Sequence, residues 1–137
     1  MGFMKKIDSE IIDKLFNQAK DSDRKRAHYL LHQSYEEKVQ RLLIAFLKNS
    51  YVEPHFHKNS NQWEMFIVIQ GVFELTKYSE GGSIIERIII EAGADILAVE
   101  IYPCEIHSVR CLSEKGLLME VKEGPFNPLE AKEYLVN

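Results

Sequence analysis

The stretch from Tyr51 to Gly71, YVEPHFHKNSNQWEMFIVIQG, decides how this chain folds. Pro54 pushes the residue before it out of the helical region, so Tyr51 to His57 reads as extended backbone. Side chains alternate faces along a strand, so His55 and His57 point the same way. Glu64 opens the run Met65 to Ile69, which has strand length and is rich in β-favouring residues. Taken as neighbouring strands, 51–57 and 64–70 bring two imidazoles and a carboxylate onto one inner face. Imidazole together with carboxylate favours Fe, Mn, Ni, Zn or Cu over Mg or Ca. His107, in a later strand-like stretch after Pro103, offers a fourth ligand. The expected cofactor is therefore one divalent transition metal (Fe, Mn, Ni or Zn) on His55, His57, Glu64 and His107. His-x-His alone would be weak evidence; followed by Glu, Gly and a distant His after Pro, it is far more specific.

Upstream, Val39 to Leu47 (VQRLLIAFL) fits a helix or a buried strand by periodicity. Asn49-Ser50 is a turn signal, since Asn tolerates the left-handed conformation, and it leads into extended chain, which favours the strand. Asp21 to Glu37 reads as polar and irregular, with Arg24-Lys25-Arg26 followed by His28 and His32. It is either a solvated loop or a cover over the mouth of the metal pocket. In the second case Arg26 and His32 face the ligand, Arg being suited to carboxylate or phosphate. Ile7 to Lys20 is expected to form an amphipathic helix. Asp8 or Ser9 caps it, and Ile11, Ile12, Leu15, Phe16 and Ala19 share one face. Its role is structural.

Downstream, Val72–Tyr78, Ile84–Ile90, Ile96–Ile101, Ile106–Leu112 and Leu117–Lys122 read as strands separated by turn signals. Leu129 to Tyr134 reads as a short helical tail, and 58–62 as a polar loop. Short strands with regular turns point to an all-β sandwich or barrel, whose interior holds one ligand. The expected organisation of the 137 residues is a single domain. Residues 1–37 form an N-terminal helix and polar extension, 38–124 a β-barrel, and 125–137 a tail.

The net charge of −4 argues against a nucleic-acid footprint, without excluding an anion in a local basic pocket. No stretch reaches the roughly 18–20 apolar residues of a membrane span. Met1 to Lys6 carries two lysines with no apolar core behind them, so no signal peptide is expected and the cytoplasm is the default. Cys104 and Cys111 lack the spacing of a metal-binding Cys-x-x-Cys pair and are expected to be reduced thiols.

The motif residues resemble the cupin superfamily. Its first motif runs Gly, five residues, His-x-His, Glu, six residues, Gly. His55, His57, Glu64 and Gly71 match, Asn49 stands at the first Gly, and the His57–Glu64 loop is longer than usual. In the second motif, Pro-x-Gly-x-x-His, Tyr102 stands at the Pro, Cys104 at the Gly and His107 at the His. The later Asn position holds Cys111. More narrowly, the chain resembles the WbuC group of cupin metalloproteins in Val39-Gln40-Arg41-Leu42-Leu43, Ser50-Tyr51-Val52, Gln62-Trp63-Glu64, Val99-Glu100-Ile101 and Glu120-Val121-Lys122-Glu123-Gly124-Pro125. That resemblance covers roughly residues 7–128. It implies a mainly β, cupin-type double-stranded β-helix (jelly-roll barrel) with a short N-terminal helix, a bound metal, a homodimer and a link to bacterial surface polysaccharide.

For the chemistry, Tyr51 and Glu100 are the candidate catalytic residues. Tyr51 shares strand parity with His55 and His57, whereas Glu100 is placed near the rim by the resemblance alone. Arg26, His32 and Arg41 are the substrate-pocket candidates. The expected partner is a polar small molecule, such as a sugar or nucleotide sugar. It is acted on by metal-assisted isomerisation, epimerisation or oxygenation, or held by a non-catalytic binding module. An acid or base beside the metal, such as Glu53 or Glu100, would favour the enzyme.

Overall fold

A computed structural model describes residues 3–57, 62–127 and 133–134. One helix, α1 (Ser9–Lys20), precedes the strands β1 (Arg26–Leu30), β2 (Val39–Leu47), β3 (Tyr51–Phe56) and β4 (Glu64–Gln70). Then follow β5 (Val72–Tyr78), β6 (Ile84–Glu91), β7 (Ala98–Ile101), β8 (Ile106–Cys111), β9 (Lys115–Glu123) and β10 (Glu133–Tyr134). They form two five-stranded sheets, ordered β1-β2-β9-β4-β7 and β10-β3-β8-β5-β6. All the pairings are antiparallel. The inner faces enclose a core that includes Leu42, Ile44, Phe46, Phe66, Phe73 and Val109. No helix among the described residues is long and apolar enough to cross a membrane.

The ambiguous VQRLLIAFL stretch is β2, and its continuous apolar run has a physical cause. Leu42, Ile44 and Phe46 face the central core, while Leu43 and Ala45 face outward beneath α1. A strand covered on both faces loses the apolar–polar alternation of a half-exposed one. The helix begins where expected, with the Asp8 carboxylate accepting from the backbone N–H of Ile11 at 3.1 Å. It buries Leu15, Phe16 and Ala19 against that outer face. Complete burial of a side chain such as Leu15 or Phe16 is worth about 1.5–3 kcal/mol.

Three expectations change. The segment 21–37 is not irregular throughout: β1 lies within it, pairing along β2 from Arg26 opposite Phe46 to Leu30 opposite Leu42. Its basic residues hid a strand whose inner face lines a cavity rather than the core. Of the expected helical tail, 129–132 lie outside the described residues, and Glu133–Tyr134 form a strand against Phe56 and His55. The sheets thus take in strands from outside 38–124. Third, β3 and β4 are not neighbours but lie in opposite sheets. The polar loop expected at 58–62 lies outside the described residues except for Gln62.

The turns follow the motif. Asn49 (φ 69°), Gly71 (φ 86°) and Cys104 (φ 68°) all adopt the left-handed region. These are three positions where the cupin pattern has glycine. Both cysteines are free, Cys104 exposed and Cys111 buried.

Candidate metal centre

His55 and His107 face each other in register across β3 and β8, and His57 lies just beyond the end of β3. Glu64, the first residue of β4, reaches the same point from the facing sheet. The carboxylate therefore closes the cluster across the sandwich rather than from a neighbouring strand. One ligand atom from each of the four residues lies within 4.8 Å of the others, and all four side chains are buried. Glu64 Oε1 is 2.7 Å from His107 Nε2 and 3.2 Å from His57 Nε2.

The imidazoles are oriented by backbone. His55 Nδ1 lies 2.7 Å from the Glu53 carbonyl oxygen, and His107 Nδ1 lies 2.9 Å from that of Glu105. In both, the ring N–H donates to a carbonyl two residues earlier, which leaves Nε2 as the lone-pair nitrogen. His107 Nε2 is buried and, 2.7 Å from Glu64 Oε1, satisfies no hydrogen-bond geometry. A buried ring nitrogen in that state requires an electrophile. Burial alone would raise the Glu64 carboxyl above its ordinary range. The His107 and His57 rings outweigh that effect, with a smaller contribution from Glu120, and hold Glu64 well below the range, as carboxylate. Convergent imidazole nitrogens with one ionised carboxylate fit a divalent transition metal.

Beside the cluster, between β1, β2 and β3, opens a cavity of about 520 Å³. Arg26 and His32 line it together with His55. His32 is buried, its Nδ1 3.0 Å from the Arg41 backbone N–H.

Three other candidates lie elsewhere. Tyr51 does not face inward. The β3–β8 register shifts between Val52 and His55, so one extra residue at Glu53–Pro54 reverses the alternation. Val52 packs against the core, and Tyr51 lies on the outer face under the Arg110 guanidinium, 4.2 Å from its ring centre. Glu100 is exposed, with parity opposite to the buried Ile101, and lines a separate cavity of about 300 Å³ that His107 also borders. Arg41 shares its face of β2 with Leu43 and Ala45, outside the barrel, and pairs with Glu37 at 3.1 Å. Its neighbour Gln40 lines the cavity instead. Glu53 is exposed and contributes its carbonyl rather than its carboxylate.

The residues missed are Glu120, Lys122, Gln40 and His28, all on the cavity wall. Glu120 is buried opposite Phe66 and Leu42, near enough to Glu64 to help hold that carboxyl low. The alternation Leu118, Glu120, Lys122 along β9 was the available signal, and His28 likewise alternates with Arg26 along β1.

Fold and site together define a cupin jelly-roll with a buried His/Glu cluster suited to a metal. The chain belongs to the family described as domain of unknown function DUF6016, which matches residues 7–90. Among solved structures it is similar to KdgF from Halomonas sp. at 17% identity, with TM-score 0.59 over 75% of this chain and 81% of that one. It is also similar to the capsular polysaccharide assembling protein CapF from Staphylococcus aureus at 17% identity, with TM-score 0.66 over 85% of this chain and 33% of that one. A cupin superfamily protein from Desulfitobacterium hafniense aligns at 14% identity, with TM-score 0.56 over 72% of this chain and 76% of that one. The chain thus spans only about a third of CapF, and it spans 57% of an oxalate oxidase solved with glycolate. No curated protein matches the chain.

Proposed function

We propose that this protein is a metal-dependent enzyme of the WbuC type, acting on a polar small molecule such as a sugar or nucleotide sugar in bacterial surface-polysaccharide metabolism. The observation that carries the enzyme reading is Glu120, a buried carboxyl that faces the cavity beside the metal ligands without being one of them. A metal held by His55, His57, Glu64 and His107 would supply polarisation of a substrate carbonyl or hydroxyl oxygen. Glu120 is placed to hold or accept a proton from the polarised substrate, the role a general acid–base must fill. Phe66, Val109 and Ile44 give the cavity apolar wall beside these polar groups. Isomerisation, in which one carboxyl moves a proton between adjacent carbons on one face, needs only these parts; epimerisation would in addition need a proton donor on the opposite face, and oxygenation iron and O2. The WbuC resemblance of the motifs and the capsular polysaccharide assembling neighbour support the pathway assignment.

The alternative, a non-catalytic metal-containing binding module, draws support from Tyr51 and Glu100 lying away from the cavity. Incubating metal-loaded protein with nucleotide sugars and sugar phosphates, followed by NMR, separates the two readings. We expect turnover of one of them, and Glu120→Gln to keep its metal while losing roughly 10²–10⁴-fold in rate, the usual contribution of a positioned acid–base. Saturable binding without product in the wild type would establish the binding module.

The chain is further proposed to be a homodimer through the outer face of β6, where Ile85 and Ile89 are exposed at 58% and 49%. Sedimentation should give twice the 15.9 kDa chain mass, and Ile85→Lys with Ile89→Lys should give the monomer.

A further inference from the structure

We infer that the cavity beside the metal cluster is an anion-binding site, in which Arg24 and Arg26 hold the phosphate or carboxylate of a sugar-sized ligand. This deepens the preceding proposal and rests on its reading of the cavity as the ligand site.

The first observation is charge segregation. The chain carries a net charge of −4, yet among the described residues Arg24, Arg26, His28, His32 and Lys122 line this cavity against the single acid Glu120. Elsewhere, Arg41 pairs with Glu37, Lys77 with Glu105 and Lys48 with Glu114. Among the described residues, Arg24, Arg26 and Lys122 form no ion pair.

The second observation is the state of Arg26. Its guanidinium is part-buried, and the partner it reaches is the Tyr51 carbonyl oxygen, 3.2 Å from Nη1. A guanidinium has five N–H donors in a fork that matches phosphate or carboxylate, so most of its capacity is unused. Burial and the adjacent Arg24 both press Arg26 below its ordinary pKa, and neighbouring Tyr134 and Glu53 only partly offset them. Two crowded cations without a carboxylate between them make a costly arrangement for a merely structural role. An anion on the cavity side would relieve it.

The third observation is spacing. The Tyr51 carbonyl lies four residues along β3 from His55, at most about 13 Å at ~3.3 Å per residue and about 10 Å once the bulge at Glu53–Pro54 is discounted. On the inner face of β2, Phe46 stands opposite Arg26 and Gln40 opposite Lys122, and Lys122 stands in turn opposite Glu64 on β4. Phe46 is six residues along β2 from that rung, so the anion is held well away from the metal ligands. A simple dicarboxylate is too short for that span, whereas a sugar phosphate or a uronate glycoside can reach from the arginines toward the cluster.

Isothermal titration of the full chain with glucose 6-phosphate, glucuronate and glucose tests the inference. The proteins are wild type, Arg24→Gln and Arg26→Gln, each checked by circular dichroism and for metal content. We expect at least one anionic probe to bind about tenfold or more tighter than glucose. Each variant should weaken it about 10–100-fold, as expected for a hydrogen bond to a charged group. Preference between phosphate and carboxylate then identifies the anion. Equal affinity for all three probes, no binding of either anion, or unchanged anion binding in both variants would overturn the inference. Arg24 is exposed, so its variant remains a decisive comparison even if Arg26→Gln fails to fold. Metal without anion preference would sink the inference and spare the metal centre. Anion preference in a protein that takes up no metal would do the reverse.

Discussion

The His57→Ala protein should lose stoichiometric transition metal when purified without a nickel column, while the wild type retains one equivalent by elemental analysis. The reason lies in how little slack the cluster has. Four ligand atoms lie within 4.8 Å of one another, and all four residues are buried. His57 is one of the two rings that hold Glu64 ionised. Removing an outer-shell partner of a metal ligand costs roughly 10–100-fold in affinity, and removing a ligand should exceed that. The loss should also appear in stability. A metal bound at 1,000 times its Kd stabilises the native state by about 4 kcal/mol. Chelation should therefore lower the Tm of the wild type by several degrees and leave His57→Ala unmoved. Equal metal content in the two proteins would remove His57 from the ligand set. Failure of the wild type to take up Fe, Mn, Ni or Zn on titration would remove the metal centre altogether.

The ligands are legible in the sequence because their spacing is fixed by local rules: strand alternation joins His55 to His57, and a turn with a demanding φ marks Gly71. Parity fails when it is carried too far. Counting in twos from His55 places Tyr51 inside, and the bulge at Glu53–Pro54 adds one residue to the count. Proline there hints at an interruption, since it cannot donate to a ladder, but not at its direction. The pairing of strands is likewise invisible. Alternation fixes which face a side chain takes, and the four-ligand set is the same whether Glu64 arrives from beside the histidines or from across the sandwich. The cavity wall is hidden for a third reason. Polar residues on an inner strand face look like loop, so β1 reads as irregular, and Glu120 looks like an ordinary surface charge. Arg41 shows the converse: it sits in the most apolar strand of the chain, yet on the face that turns away from the barrel.

Gly71→Ala should be strongly destabilising for the addition of a single methyl group. All three glycine positions of the motif have positive φ, yet two carry other residues, so conformation alone does not explain Gly71. Asn49 and Cys104 are exposed, and a side chain there can project into solvent. At Gly71 an added Cβ would meet the Lys115 carbonyl oxygen and the Ser113 Oγ, and would lie 2.9 Å from Gly116 Cα. Two of these are backbone atoms at the start of β9, so they cannot rotate away. Ser113 is itself committed, accepting from the Val72 N–H at 3.0 Å and donating to Lys115 O at 2.6 Å. Left-handed strain of about 1–2 kcal/mol for a residue with Cβ adds to an overpacking cost of typically 1–3 kcal/mol. At roughly 3 °C per kcal/mol for a chain of this size, Tm should fall by about 6–15 °C. Asn49→Ala, which meets the conformational cost alone, should lose about 1–2 kcal/mol. Thermal unfolding of the two variants compares strain with strain plus contact. Equal losses would show that the turn, and not the approach of β9, holds glycine at position 71.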